Sequence, residues 1–218
     1  MSVTIPVAVR YHSTVRTVLV LSYMAGIVGL QSPSLAVYFR PLSPVILFFS
    51  LLVLLLYHTD WQPAFYVYLI LTLVTGYFVE VLGVHTGFVF GHYAYGEGLG
   101  PSVWSVPPII AVNWLLLTYG CGSVCSHLTI PVWLKVLAAA TLMVVLDLFI
   151  EPVAVQLDFW TWFNKPVPLQ NYLGWWLISI VLFTIWYALP FDKENRLAKW
   201  LVILQFVFFL SQSLFMFL

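Results

Sequence analysis

Three carboxylates in this chain sit where a carboxylate is costly. Glu80 lies in the apolar run Val74–Val84, and Asp147 and Glu151 lie in the apolar run Leu142–Ala154. An ionisable side chain at mid-membrane costs on the order of 2.5–3.5 kcal/mol on insertion scales, and less nearer the interface. Asp147 and Glu151 are four residues apart, so on a helix they share one face. No base accompanies them, since Lys135 is three helical turns before Asp147. Carboxyls clustered away from water do not all ionise. At least one is therefore expected to hold a proton near neutral pH while another is free to accept one. Such a site can carry a general acid and a general base together. The competing account is structural, because intramembrane acids also tie helices together by hydrogen bonds. The other acids ask for less. Asp192 and Glu194 lie in the cationic connection Phe191–Lys199, Asp60 in a short turn and Glu97 in a Gly-rich loop. Asp158 reads either as an interfacial loop residue or as a group that holds substrate or water beside the three acids.

The elements that carry these residues follow from composition. Of 218 residues, 62% are hydrophobic and 7% are charged, against roughly 25% charged in soluble domains. Mean hydropathy is +1.01 and the formal net charge is zero. That balance offers no basic face for nucleic acid and no acidic tail. The expected fold is all-α, a polytopic transmembrane bundle of about seven helices in the lipid bilayer. It forms one integral membrane domain over residues 1–218, with its motif-bearing core at about 63–189. Runs near the roughly 20 residues needed to span are expected at Thr17–Phe39 (with Pro33 as a kink), Ser43–Tyr57, Pro63–Val84, Val106–His127, Pro131–Glu151, Tyr172–Leu189 and Leu197–Leu218. The second is short, follows Pro41 and Pro44, and is open to a re-entrant reading. The fifth is expected to end or kink at Pro152. The N-terminal stretch lacks a short apolar region followed by a cleavage site, so it reads as a first membrane helix. With seven spans, Arg10, Arg16, Lys135, Lys193, Arg196 and Lys199 fall on the N-terminal side, and Arg40 and Lys165 on the other. The positive-inside rule then puts the N-terminus in the cytoplasm and the C-terminus outside.

Helices three and five run in the same direction, so Glu80, Asp147 and Glu151 are expected at similar depth near one face. Above them lie the two long connections, His85–Ser105 and Pro152–Asn171. Tyr93, Tyr95, Trp104, Trp160, Trp162 and Tyr172 lie at or above that end. Aromatic faces stabilise cations by about 0.5–2 kcal/mol each, although interfacial belts use the same residues routinely. Asn113, near the same end of helix four, can hold a water. His12, His58, His85, His92 and His127 are scattered, and Cys121 and Cys125 with His127 make only a loose ligand set, so no metal site is expected. Phosphate loops, dinucleotide fingerprints and serine-nucleophile elbows are missing from the sequence.

Two blocks of residues resemble a known family. One is Glu80-x-x-Gly83-Val84-x-Thr86-Gly87-x-x-Phe90-Gly91-x-Tyr93-x-Tyr95, followed by Leu99-Gly100-Pro101 and Val106-Pro107. The other is Asp147-x-x-x-Glu151-Pro152-x-Ala154, followed by Trp160-x-Trp162 and Asn171-Tyr172-x-Gly174-Trp175. Both resemble the CruF-like carotenoid biosynthesis family. The resemblance implies a membrane hydratase that adds water across the terminal double bond of an acyclic carotenoid end group, giving a tertiary alcohol. Substrates in that family include lycopene, γ-carotene and bisanhydrobacterioruberin. The implied partners are a carotenoid drawn from the membrane, water as co-substrate, and other carotenoid biosynthesis enzymes as neighbours. No cofactor is implied.

The residues fit that chemistry on their own terms. Protonating a trisubstituted alkene leaves a tertiary cation, which water captures. Asp147 or Glu151 is the expected acid, with the other or Glu80 as base and cation stabiliser. Gly83, Gly87 and Gly91 are expected where the backbone turns sharply or approaches closely. A cofactor-free carotenoid cyclase would use the same protonation and quench the cation by ring closure. A proton-coupled transporter would use the acids as a relay, but the sequence carries no inverted repeat or paired broken helices.

Overall fold

The structure is a computed structural model that describes residues 12–163 and 166–215. Arg10, Lys165 and the last residues of the expected seventh helix lie outside the described residues. Among those described, seven helices are long and apolar enough to cross a membrane. They are α1 (His12–Gln31), α2 (Ala36–Leu56), α3 (Pro63–Thr86), α4 (Ile109–Ser126), α5 (Val132–Gln156), α6 (Leu169–Ala188) and α7 (Ala198–Phe215).

Two departures from the expected boundaries centre on prolines. Pro33 separates α1 from α2 and does not kink a single helix, and the residues from Ala36 belong to the second span. Residues before proline are pushed out of the helical region, which ends α1 there. That transfer lengthens α2 to 21 residues, enough to cross the bilayer without a re-entrant path. Its Pro41 sits in a 3₁₀ turn, Arg40–Leu42, and Pro44 opens the helix Ser43–Leu56 that follows. First-turn N–H groups have no helical partner, so proline removes nothing there. Pro152, by contrast, lies inside α5, which continues to Gln156. Packed membrane helices tolerate internal proline because neighbours re-satisfy the freed groups.

The centre of the bundle is α4. Of its apolar window, 78% is buried, against at most 50% for any other span. It packs against α2, α3, α5, α6 and α7. Small residues make this possible. A Cβ on Gly120 would stand 2.9 Å from Val202 of α7, and one on Gly122 would stand 2.9 Å from the Trp186 indole of α6. Across the α3–α4 contact, a Cβ on Gly76 would stand 2.6 Å from the Cβ of Trp114.

Over the ends of α3 and α5 lie two short strands, β1 (Tyr93–Tyr95) and β2 (Trp160–Trp162). They pair antiparallel, with Tyr93 opposite Trp162 and Tyr95 opposite Trp160. The expected irregular connections thus contain a small sheet that joins them. The chain reaches β1 by a left-handed residue at Gly87 (φ +66), whose N–H closes α3 on the Gly83 carbonyl at 2.8 Å. The Gln170 amide at the start of α6 donates to the Gly87 and Phe88 carbonyls and anchors this corner.

Replacing Gly76 with Val should push Trp114 away from α3. Overpacking of this kind costs about 1–3 kcal/mol, so the thermal midpoint of the purified protein in detergent should fall. An unchanged midpoint would mean that α3 and α4 do not meet this closely.

Candidate active site

Glu80, Asp147 and Glu151 are 3%, 0% and 2% exposed. Each oxygen must therefore find its donor inside the protein. Glu80 finds three. Its Oε2 accepts from the hydroxyls of Tyr93 (2.5 Å) and Tyr95 (2.8 Å), and its Oε1 from Trp114 Nε1 (2.9 Å). Glu151 also finds three. Its Oε2 accepts from Trp160 Nε1 (2.9 Å) and Trp162 Nε1 (2.8 Å), and its Oε1 from Asn171 Nδ2 (2.9 Å).

The small sheet explains four of these six donors. Alternate residues of a strand point to the same side. Tyr93 and Tyr95 in β1 therefore face down together, and the register sets Trp162 and Trp160 beside them. Burial, and then the charge of Glu80, pushes both phenols up, so both keep the protons they donate across the physiological range.

Asp147 is bound differently. Its Oδ2 accepts from the same Asn171 Nδ2 at 2.9 Å, while its Oδ1 is buried without a partner. One amide nitrogen has two hydrogens, and Asn171 gives one to each acid of the α5 pair. A helix spacing of four set the two acids on one face, and a single residue of α6 holds them there.

Glu80 and Glu151 both line a cavity of about 20 Å³, with Asn113, Tyr93, Tyr95, Trp160, Trp162 and Asn171 around it. Phe90, Ile110 and Trp175 complete its walls. That space is close to what one water needs. Asp147 stands behind Asn171 and does not reach it. The Trp114 indole stacks on Trp175 at 4.2 Å and 15°, which fixes its N–H toward Glu80. Among the described residues, no group of three or more His, Cys, Asp or Glu side chains is placed to hold a metal ion.

Of the residues expected near the acids, Tyr93, Tyr95, Trp160, Trp162 and Asn113 are gathered there, and three others are not. Trp104 is 61% exposed, with its carbonyl 3.2 Å from His85 Nε2. Asp158 is exposed and shapes the loop, its carboxylate accepting from the Glu97 N–H (3.1 Å) and its carbonyl from the Gly98 N–H (2.9 Å). Tyr172 is half-buried and does not line the cavity. Sequence reasoning missed Trp114, Asn171 and Trp175. The last two stand in the quoted block Asn171-Tyr172-x-Gly174-Trp175, but nothing in their spacing marks them as partners of the acids.

Buried acids gathered at one end of an apolar seven-helix bundle, each accepting at least one side-chain hydrogen bond, define a polytopic membrane protein with a carboxyl cluster as its candidate site. Residues 41–218 match the family of carotenoid biosynthesis proteins, and the chain belongs to that family. It is also 30% identical over 123 residues to the bisanhydrobacterioruberin hydratase of Haloarcula japonica, a match covering 49% of this chain. The chain spans 40% of that relative's length. No solved structure matches it.

Asn171→Leu should leave both α5 carboxyls short of a donor and cost about 1–3 kcal/mol of stability. Combined with Asp147→Leu in a double-mutant cycle of thermal unfolding, it should show a coupling of about 0.5–3 kcal/mol. Strict additivity of the two changes would remove the amide bridge.

Proposed function

We propose that this chain is a carotenoid hydratase that adds water across the terminal carbon–carbon double bond of an acyclic end group. The observation that carries the reading is a water-sized cavity lined by two carboxyls, Glu80 and Glu151, and by aromatic rings. Family membership and the hydratase relative support the same substrate class.

Two carboxylates tied to one amide repel each other, and a proton shared by Asp147 and Glu151 relieves that repulsion. Glu151 faces the cavity, so it delivers the proton to the less substituted olefinic carbon. The π electrons form the new C–H bond, and the other carbon becomes a tertiary cation. The faces of Tyr93, Tyr95, Trp160, Trp162 and Trp175 can each stabilise a cation by about 0.5–2 kcal/mol. A water held near Asn113 attacks the cation and forms the C–O bond. Its released proton passes to Glu80, whose three donors suit a carboxylate that must wait ionised in an apolar interior. Moving that proton back to the Asp147–Glu151 pair completes the cycle. Atoms balance as olefin plus water giving a tertiary alcohol.

Among the described residues, the positive-inside rule sets Arg16, Lys135, Lys193, Arg196 and Lys199 against Arg40. We infer from that ratio a cytoplasmic N-terminus and a site beneath the outer face.

Expression in a host that makes lycopene or γ-carotene should yield pigments heavier by the mass of one water. Glu80→Gln and Glu151→Gln should each lower that product roughly 100- to 10,000-fold while the protein still accumulates. Asp147→Asn should also lose most of it, through the shared proton. A product of unchanged mass with a closed ring would instead mean that the cation is quenched internally, and wild-type yield from any two of the variants would remove the acid mechanism.

A further inference from the structure

The cavity between the carboxyls has room for a water and not for a polyene. The chain of a carotenoid must lie elsewhere while its end group reacts. A second cavity, of about 450 Å³, lies between α1, α2 and α7. It is within the size range of small-molecule sites. Gly26 of α1, Phe39, Ile46 and Phe49 of α2 and Phe208 of α7 are among its walls, and no charged residue lines it. It opens on the lipid-facing surface beside Leu42 and Val45, which are 48% and 58% exposed.

Phe159, just before β2, is also part of its wall. The next residue, Trp160, lines the water-sized cavity and donates its indole N–H to Glu151. Consecutive residues entering a strand point to opposite sides. The Phe159–Trp160 pair is therefore a partition, with one ring facing each cavity and their centroids 6.2 Å apart. An apolar chain entering between α1, α2 and α7 has its end at that partition, one residue from the acid.

We propose that the α1–α2–α7 cavity binds the polyene chain of the carotenoid and delivers its end group past Phe159 to Glu151. The occupant has to be long and apolar, and it has to end at an acid site. A polyene with a reactive terminal olefin meets both conditions, whereas a lipid acyl chain has no use for the second. This assignment rests on the hydration reading for what happens at the end group, but chain binding can be measured without it.

The test uses the full chain carrying Glu151→Gln, purified from a lycopene-producing host, with bound pigment read by its absorbance per protein. To this background Val45→Trp is added at the cavity mouth, where the side chain is exposed enough to leave the fold intact, and, separately, Ala25→Phe inside it. Each should lower retained lycopene about tenfold or more, an affinity loss of roughly 1.4 kcal/mol. Leu21→Trp, on α1 but 62% exposed and outside the cavity, should change nothing. Pigment retention at the parent level in both cavity variants overturns the proposal. So does a lipid acyl chain that stays bound there while lycopene binding is undiminished. Loss of pigment in those variants, with no water added by the chain that keeps Glu151, keeps the cavity and removes hydration. Wild-type hydration by Val45→Trp and by Ala25→Phe, each placed in the chain that keeps Glu151, removes the cavity and keeps hydration.

Discussion

A carboxyl oxygen buried among apolar helices must take its hydrogen bonds from the protein, and the helical backbone has none to spare. Glu80 and Glu151 each accept three side-chain donors. Two come from neighbouring helices, Trp114 on α4 and Asn171 on α6. The other four come from β1 and β2. A helix would send residues two apart to different faces, while a strand sends them to the same one. Two tyrosines can meet one oxygen of Glu80, and two tryptophans one oxygen of Glu151, only because the chain is extended at both places. The small sheet is thus the means of solvating two acids without water.

Asp147 breaks the pattern. With one donor and one orphaned oxygen, it is the acid whose charged form the site supports least. Removing an unsatisfied buried acid would relieve the fold, so its presence asks for a reason beyond packing. On the hydration reading, a proton on the α5 pair supplies one, because a neutral acid needs fewer donors. Donor count thus sets Asp147 apart from both Glu80 and Glu151, each of which accepts three. Differently solvated carboxyls are a general way to obtain an acid and a base from the same side-chain type.

Much of this was legible in the sequence. Apolar run length marks a membrane helix directly, and three acids in such runs are conspicuous because each needs partners. Equal depth followed from helix direction. Pro33 divides two helices where a kink in one was expected, and Pro152 does not end its helix, because the local preference of proline is read without the neighbouring helices that decide it. The spacings Tyr93-x-Tyr95 and Trp160-x-Trp162 carried the period of a strand, but aromatic residues at a membrane interface have an ordinary explanation that masks it. Trp104, Asp158 and Tyr172 fall in or beside the two long connections above the acids, yet Trp104 and Asp158 turn through positive φ and are exposed. Trp114 carried no signal and Asn171 only its place in a quoted block, since their roles depend on which faces of α4 and α6 meet α3 and α5.

On the hydration reading, two substrates of opposite polarity must be supplied to one place, which bears on why the two cavities are separate. Water and polyene favour opposite environments, and a site open to both phases would flood or dry. A space of about 20 Å³ walled by polar and aromatic groups admits a single water. One water beside a tertiary cation gives one nucleophile in one place, while the surrounding rings offer stabilising faces. The donors that occupy the acids, on the hydration reading, hold them back from the cation, so that water reaches it before a carboxylate does. On the hydration reading, the indole N–H groups of Trp160 and Trp162 thus have two effects. They stabilise Glu151 after it has given up its proton, and they restrain the resulting carboxylate from capturing the cation as an ester.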